Sequence, residues 1–410
     1  MFTRDHAIIA GLGNKGLKLA TSFQKAGFRV VVIERDPNNL LIERCHEAEI
    51  PVIRGDARDP IVLRRGRLPH ARQLIVTCDD ATNLNVILAA GAVLGGQTNS
   101  AALFVHLDDD NLGRFLKAEL LEGSSLLPFR LEYFNVYDTA ARTLARQAPF
   151  SRSSVGGDIG PHIWIVGLDG VGESLVLHLA GQWLESRRNG DKLPLTVIGP
   201  SIEGRIEQLF LRHPELRTVC DLDVKDVPLG RTLLGLIDES LKNDWGRPTL
   251  IYVCLEDEAA GLATTLALRS RDRFVDVATT LVLEDDDGGI GDIVRAGQSL
   301  QGVETFGFLS DALEPWALLL GANEVIAQAR HQVYVDRERA AGVGPAENPS
   351  AVPWEELDED LKEANRDYAD GIGAMVAAVN GAVVPAPLVR AEGPLVRFTD
   401  EEIERLARME

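Results

Sequence analysis

The chain has 410 residues, 45% of them hydrophobic and 25% charged, which fits a globular protein of about two to four domains at ~100–200 residues each. Its 62 acidic and 42 basic residues give a formal net charge of −20, which argues against a surface built for nucleic-acid phosphates. No apolar run approaches the ~18–20 residues of a membrane span, so direct membrane insertion is not expected. Met1-Phe2-Thr3-Arg4-Asp5-His6 leads straight into a strand pattern and does not read as a signal peptide. Cys45, Cys78, Cys220 and Cys254 show no CxxC spacing, so reduced thiols and a cytoplasmic location are expected.

The first predicted strand is the apolar run Ala7–Ala10. It enters a glycine loop, Gly11-Leu12-Gly13-Asn14-Lys15-Gly16, followed by a helical pattern, Gly27, a β-branched run Val30–Ile33, and Glu34. Strand, tight turn, helix, strand and acid in that order form the dinucleotide-binding fingerprint. Gly11 suits the tight turn, Gly13 lets a pyrophosphate approach the backbone, and Gly16 permits close packing of helix on sheet. The helix N-terminus offers N–H groups and a positive dipole end to phosphate. Glu34, 18 residues beyond Gly16, is placed to accept hydrogen bonds from a ribose diol. An acid there favours NAD(H) over NADP(H), and the adjacent Arg35 softens that discrimination because it can pair with a phosphate.

A turn at Arg35–Asn39 opens a helix to about Ala48, and Ile50–Arg54 is a third strand. Gly55-Asp56-Ala57-Arg58-Asp59-Pro60 leads into a helix with Leu63 and Leu68. Gln73–Cys78 is a fourth strand, Asp79–Asn83 caps a helix over Leu84–Leu94, and Ala101–Leu107 is a fifth strand before a helix through Phe115 and Leu116. Strands alternating with helices at this spacing predict a doubly wound parallel sheet. Ligands bind at the carboxyl ends of such strands, which brings Glu34, Gly55, Asp56, Thr77 and Cys78 to one crevice. Asp56 either reaches an adenine amino group or caps the next helix. Asp79 and Asp80 read as caps, and Thr77 as a contact.

These motifs together resemble the N-terminal domain of the regulators of K+ conductance, the RCK or TrkA-N family. The resemblance rests on Gly11–Gly16, Glu34, Gly55-Asp56-Ala57 with Asp59, and Thr77 with Asp79, Asp80 and Asn83, and covers roughly residues 5–150. It implies a ring- or dimer-forming cytoplasmic domain that binds NAD(H) or an adenine nucleotide (ATP, ADP or AMP). It also implies coupling to a membrane K+ transporter or channel. The residues it implies for the nucleotide are Gly11, Leu12, Gly13, Asn14, Lys15, Gly16, Glu34, Arg35, Gly55, Asp56, Ala57, Thr77 and Cys78.

Phe129–Gln147 reads as helical, and the family resemblance implies a dimerisation helix near it. Ser151–Pro161 is a Gly/Ser-rich linker. The opening pattern then returns: a strand at His162–Val166, glycines at Gly167, Gly170 and Gly172, a helix over Glu173–Leu184, and a strand at Leu195–Ile198. Leu250–Leu255 with Glu256-Asp257-Glu258-Ala259 matches Leu74–Cys78 with Asp79-Asp80-Ala81. This second copy spaces its glycines GxxGxG and has Gly199-Pro200 where Glu34 stood, so it reads as a pseudo-symmetric partner without a nucleotide, although its turn could still take an anion. Two copies in one chain mimic the pairing that a homodimer achieves with two. The acidic run Glu284–Asp287 lacks the ligand spacing of a calcium loop and reads as a loop tip, so no metal site is expected.

From Asp311 the chain turns helical, with an apolar-periodic stretch over Ala317–Arg330 and a loop at Gly342–Pro353. His331 with Tyr334, Trp354 with Leu357, Leu361-Lys362, Asn365-Arg366 and Ala369 resemble the ryanodine-receptor-type (RyR) repeat domain. Phe398–Glu410 is similar to the start of that module's next helix, which in the family continues with a His and an Arg-Trp. Either the sequence is cut short or this version lacks the second half of the module. Trp354, Asn365 and Arg366 also read as plain packing and capping residues, and Pro385–Pro394 with Arg390 and Arg397 as a loop.

The sequence therefore predicts two tandem Rossmann-like doubly wound α/β domains and a small helical C-terminal domain: residues 1–150, 151–330 and 331–410. The expected function is a cytoplasmic nucleotide-binding regulator, peripheral to a membrane transporter, whose domain packing switches on ligand binding. The alternative is an NAD-dependent oxidoreductase. Against it, no Lys/Tyr or His/Asp pair stands out as a hydride-transfer set, and the eight histidines are scattered. A third reading is a scaffold with vestigial glycine turns.

Overall fold

A computed structural model of the chain describes residues 4–95, 101–109, 130–147, 161–186, 191–227, 245–313, 322–344, 348–358 and 398–408, with isolated positions over 112–116 and 361–379. The expected linker at 151–160, Phe115, Arg366, residues 317–321 and the loop at 385–394 with Arg397 lie outside the described residues. Two compact units are present. One comprises Met1–Asn135, Leu313–Pro385 and Gly393–Glu410, and the other Val136–Ala312 with Ala386–Glu392.

The first unit is built on six strands: β1 (His6–Ala10), β2 (Val30–Glu34), β3 (Val52–Arg54), β4 (Ala71–Val76), β5 (Ala102–His106) and β6 (Arg130–Phe134). They form one parallel sheet in the order β3-β2-β1-β4-β5-β6. Strands β1 and β2 are buried along their whole length, because helices cover both faces of a parallel sheet and leave no wet side. Ile8, Ile33, Leu63, Leu74 and Val86 join one apolar core between sheet and helices. Each such side chain contributes roughly 1.5–3 kcal/mol by leaving water. The helices are α1 (Asn14–Lys25), α2 (Leu41–Glu47), α3 (Pro60–Arg65) and α4 (Asp80–Leu94). Pro60 suits the first turn of α3, and Asp59 caps that helix by accepting from the Ile61 N–H.

In this unit's sheet, the last strand departs from the sequence reading. Arg130–Phe134 is a strand, and the helix α5 begins only at Val136 and ends at Gln147. Leu131 and Tyr133 alternate into the core and pair with β5, so period 2 governs this segment and period 3.6 starts after Asn135.

The second unit contains α5 and a second six-stranded parallel sheet: β7 (Ile163–Val166), β8 (Leu193–Gly199), β9 (Cys220–Asp226), β10 (Leu250–Val253), β11 (Ala278–Leu283) and β12 (Val303–Gly307). Its order, β12-β11-β10-β7-β8-β9, is that of the first sheet strand for strand. The tandem α/β architecture expected from the repeated pattern is present. Strands β9, β11 and β12 carry no glycine-turn signature and are legible only once the sheet is assembled. Within this unit α5 packs on α6 (Val171–Ser186): the Asp138 carboxylate meets the His178 ring at 2.7 Å, and the Tyr137 ring closes over Gly170. The acidic run Glu284–Asp287 joins β11 to the helix Gly289–Ala296.

In the tail, Ala322–Ala340 is one helix, Trp354–Glu356 is a single 3-10 turn where a helix start was expected, and Asp400–Ala407 is a short helix. The last begins with a capping box between Thr399 and Glu402. His331 is buried, bonds the Val352 carbonyl at 2.8 Å, and lies beside Tyr334 and Trp354. Arg330 donates to Asn365 at 3.0 Å and lies over the Tyr368 ring.

Candidate functional site

The strand order reverses between β1 and β4, so their two connections leave on opposite faces and a crevice opens at the carboxyl ends. The glycine turn sits there. Gly11 has φ +100°, a conformation that L side chains rarely adopt, and a Cβ on it would fall 2.8 Å from the Cys78 sulfur. Gly16 lies so close to the strand end that a Cβ would meet the Gly11 carbonyl oxygen at 2.0 Å. Gly13 is different: it caps α1 in an extended conformation, φ −87°, and nothing lies within 4 Å of where a Cβ would go. No side-chain hydrogen bond caps α1 at Gly13. The first and third glycines therefore build the turn, and the second keeps its outer surface clear.

Glu34 ends β2 and is almost fully buried. Its carboxylate accepts from the Leu12 N–H at 2.9 Å and the Asp36 N–H at 2.7 Å. Two of about four acceptor positions remain. The same Leu12 accepts at its carbonyl from the Asn39 amide at 2.8 Å. Acid, turn and the approach to α2 are thus one bonded unit. An open cleft enclosing about 100 Å3 is lined by Gly11, Ile33, Glu34, Arg35, Gly55, Asp56, Ala57, Cys78, Asp79 and Thr82. Seven of the thirteen residues implied from sequence line it; Leu12, Gly13, Asn14, Lys15, Gly16 and Thr77 do not.

Asp56 neither caps α3 nor stands alone. It accepts from the Arg58 N–H at 2.9 Å and from the Arg58 guanidinium at 2.6–3.1 Å, and Asp59 does the capping. The Arg58 guanidinium holds the Asp56 carboxyl below the usual carboxylate range. Thr77 turns its hydroxyl to the Gly11 carbonyl at 3.2 Å, which supports the turn from beneath. Burial, with the negative charges of Glu34, Asp79 and Asp56 adding, pushes the Cys78 thiol up to about 11. Asp79 caps α4 through the Thr82 N–H, as expected. Asp80 instead accepts from the Asp108 and Asp109 N–H groups at 2.8 and 3.1 Å, tying α4 to the exit of β5.

Lys15 leans away from the cleft and bonds Asp108 at 2.7 Å. Asp80, His106 and Asp108 bring one ligand atom each within 4.8 Å of one another, a grouping that sequence spacing did not suggest. Burial, with the Lys15 charge adding, lowers the His106 ring to about 3 and keeps it neutral. The ammonium of Lys15 already answers the Asp108 charge. Sequence reasoning also passed over Arg58, Asn39 and Thr82. Arg58 and Asn39 lie beside recognised motif residues, but nothing in a linear pattern says that one pairs with Asp56 and the other with the Leu12 carbonyl.

The second copy repeats the turn but carries a side chain at the position of its second glycine. Gly167 and Gly172 are separated as Gly11 and Gly16 are, and a Cβ on Gly172 would meet the Gly167 carbonyl oxygen at 2.4 Å. The Gly167 N–H donates to Ile198 as Gly11 does to Ile33, so Gly199 occupies the position of Glu34. The glycine that differs is the second. Asp169 stands at the position of Gly13, and its carboxylate is held by Arg205.

Residues 7–113 match the TrkA-N domain model. No curated protein matches the chain in sequence. Among solved structures, the GsuK channel is similar over 78% of this chain and 70% of its own, with 18% identity and a TM-score of 0.53. GsuK bound to ADP gives 17% identity and 0.53 over 78% and 69%. GsuK bound to NAD gives 15% identity and 0.52 over 78% and 64%. At these identities the likeness establishes the fold.

Proposed function

We propose that the chain is a nucleotide-binding regulatory protein of the K+-conductance type, with one functional site at Gly11–Gly16 and Glu34. The observation that carries this reading is the cleft at the strand ends. It combines a turn whose outer surface is clear at Gly13 with a buried acid that keeps acceptor capacity. The enclosed volume is below the ~300–1,000 Å3 typical of closed pockets, so a ligand would lie largely along the open turn. Its pyrophosphate would face the start of α1, its ribose Glu34, and its base Asp56 and Arg58. NAD(H) or an adenine nucleotide fits this set, and the ADP- and NAD-bound forms of GsuK support the choice. Thr77 and Lys15 then act from behind the turn.

Binding would favour one packing of the two units, by no more than the ligand's differential affinity for the two states. The partner would be a membrane K+ transporter or channel, the location cytoplasmic, and the assembly a homodimer. Among the described residues no helix is long and apolar enough to cross a membrane. Domain limits of 1–150, 151–330 and 331–410, and an RyR-type tail organised around His331, Trp354 and Asn365, belong to the same proposal. Equilibrium titration with NAD+, NADH, ATP, ADP and AMP tests it. Binding by at least one at micromolar concentration is expected; no binding at millimolar concentration by any defeats it. Robust NADH turnover with carbonyl substrates would instead favour the oxidoreductase.

A further inference from the structure

Asn83 is the one polar side chain in the core of α4, and it is fully buried. Its carbonyl oxygen accepts from the Cys78 N–H at 2.8 Å. Its amide donates to the Cys78 carbonyl at 2.9 Å and to the His106 carbonyl at 2.8 Å. One side chain thus holds both backbone groups of Cys78, a wall residue of the cleft, and fastens them to the end of β5. It does not line the cleft itself.

The second copy supplies an internal control. Asp79 caps α4, and Asp257 caps the equivalent helix, Glu258–Arg269. The residue after each cap ties its helix to the exit of the next strand in the same way. Asp80 accepts from the Asp108 N–H at 2.8 Å, and Glu258 from the Glu284 N–H at 2.7 Å. Four residues beyond the cap, the first copy has Asn83 and the second has Gly261, over which Leu281 closes. The shared fold is therefore built without an amide at this position. The amide occurs in the copy that keeps a ribose-facing acid and an open turn.

We infer that Asn83 is a positioning residue for the nucleotide cleft: it sets the Cys78–Asp79 backbone against the glycine turn and ties that wall to the exit of β5. This rests on the reading of the cleft as a nucleotide site. Asn83→Asp keeps the shape and the acceptor toward Cys78 but turns the two donor contacts into repulsion between a carboxylate and two carbonyls. Protonation of the introduced carboxyl returns one donor. Asn83→Gly installs the residue of the second copy.

The test measures NAD+ and ADP binding to the full chain between pH 5 and 8, with circular dichroism as the check on folding. Both variants should fold and bind about tenfold or more weakly at pH 8. Asn83→Asp should regain affinity as the pH falls, beyond any change in the wild type. A purely structural role would not produce that pH-dependent recovery. Wild-type binding with undiminished affinity in Asn83→Asp at every pH overturns the inference alone, as does failure of both variants to fold. Absence of binding by the wild type defeats the reading of the cleft, and this inference with it.

Discussion

Replacing Gly13 by alanine separates ligand binding from folding more cleanly than any other change in the turn. The residue has φ −87° and ψ −170°, which alanine adopts without strain, and a Cβ there meets nothing within 4 Å. The folded protein therefore loses no side-chain contact, and the ~0.4–1 kcal/mol gained because the unfolded chain loses freedom is offset by alanine's poorer fit at the N-cap of α1, so stability should change by less than about 1 kcal/mol. The added methyl occupies the surface where a pyrophosphate must approach. Crowding a well-packed contact by one carbon costs about 1–3 kcal/mol, which is roughly a 5- to 150-fold loss in affinity. Thermal melts with and without ADP or NAD+ read both quantities. Gly13→Ala should melt close to the wild-type temperature and show reduced ligand protection. Full protection would refute the assignment of the turn's outer surface to phosphate. A large fall in the melting temperature would refute the claim that the turn folds equally well without a glycine at this position.

Gly16→Ala and Gly172→Ala should each cost about 3 kcal/mol or more, because the new Cβ would overlap a backbone oxygen at 2.0 and 2.4 Å; denaturant titration measures this. Glu34→Ala should cost about 1–3 kcal/mol, since the buried Leu12 N–H loses its acceptor, and should weaken NAD+ binding; Glu34→Gln, which keeps one oxygen, should recover most of the stability. His106 takes up its proton more readily unfolded than folded, because burial lowers its folded value to about 3. Its contribution to stability is therefore present above pH ~6.5 and lost as the pH falls from there toward 3, by an amount on the order of 4 kcal/mol. His106→Gln should flatten that part of the stability profile in urea melts at a series of pH values.

The division between sequence and tertiary structure runs along the range of the interactions involved. Local order determined the first sheet: β-branched runs, Gly11–Gly16, Glu34 and the acidic caps each answer a requirement within a few residues of themselves. The sequence also disclosed the second copy, because a glycine turn between two apolar strands imposes the same steric demand wherever it occurs. Strand β6 escaped because Leu131 and Tyr133 show their alternation only against β5, and the helix beginning at Val136 imposed its period on the reading upstream. Strands β9, β11 and β12 follow no glycine turn and were assigned only by their places in the second sheet. At the site, sequence brought the glycines, Glu34 and the Gly55–Ala57 segment together, but it could not divide their labour. Only the folded chain placed Thr77 beneath the turn, turned Lys15 to Asp108 and paired Asp56 with Arg58. It also aligned Asp169 with Gly13 and put Asn83 across two strand ends. Those roles depend on which polar groups end within about 3 Å of each other, and residues tens of positions apart settle that only when the sheet closes.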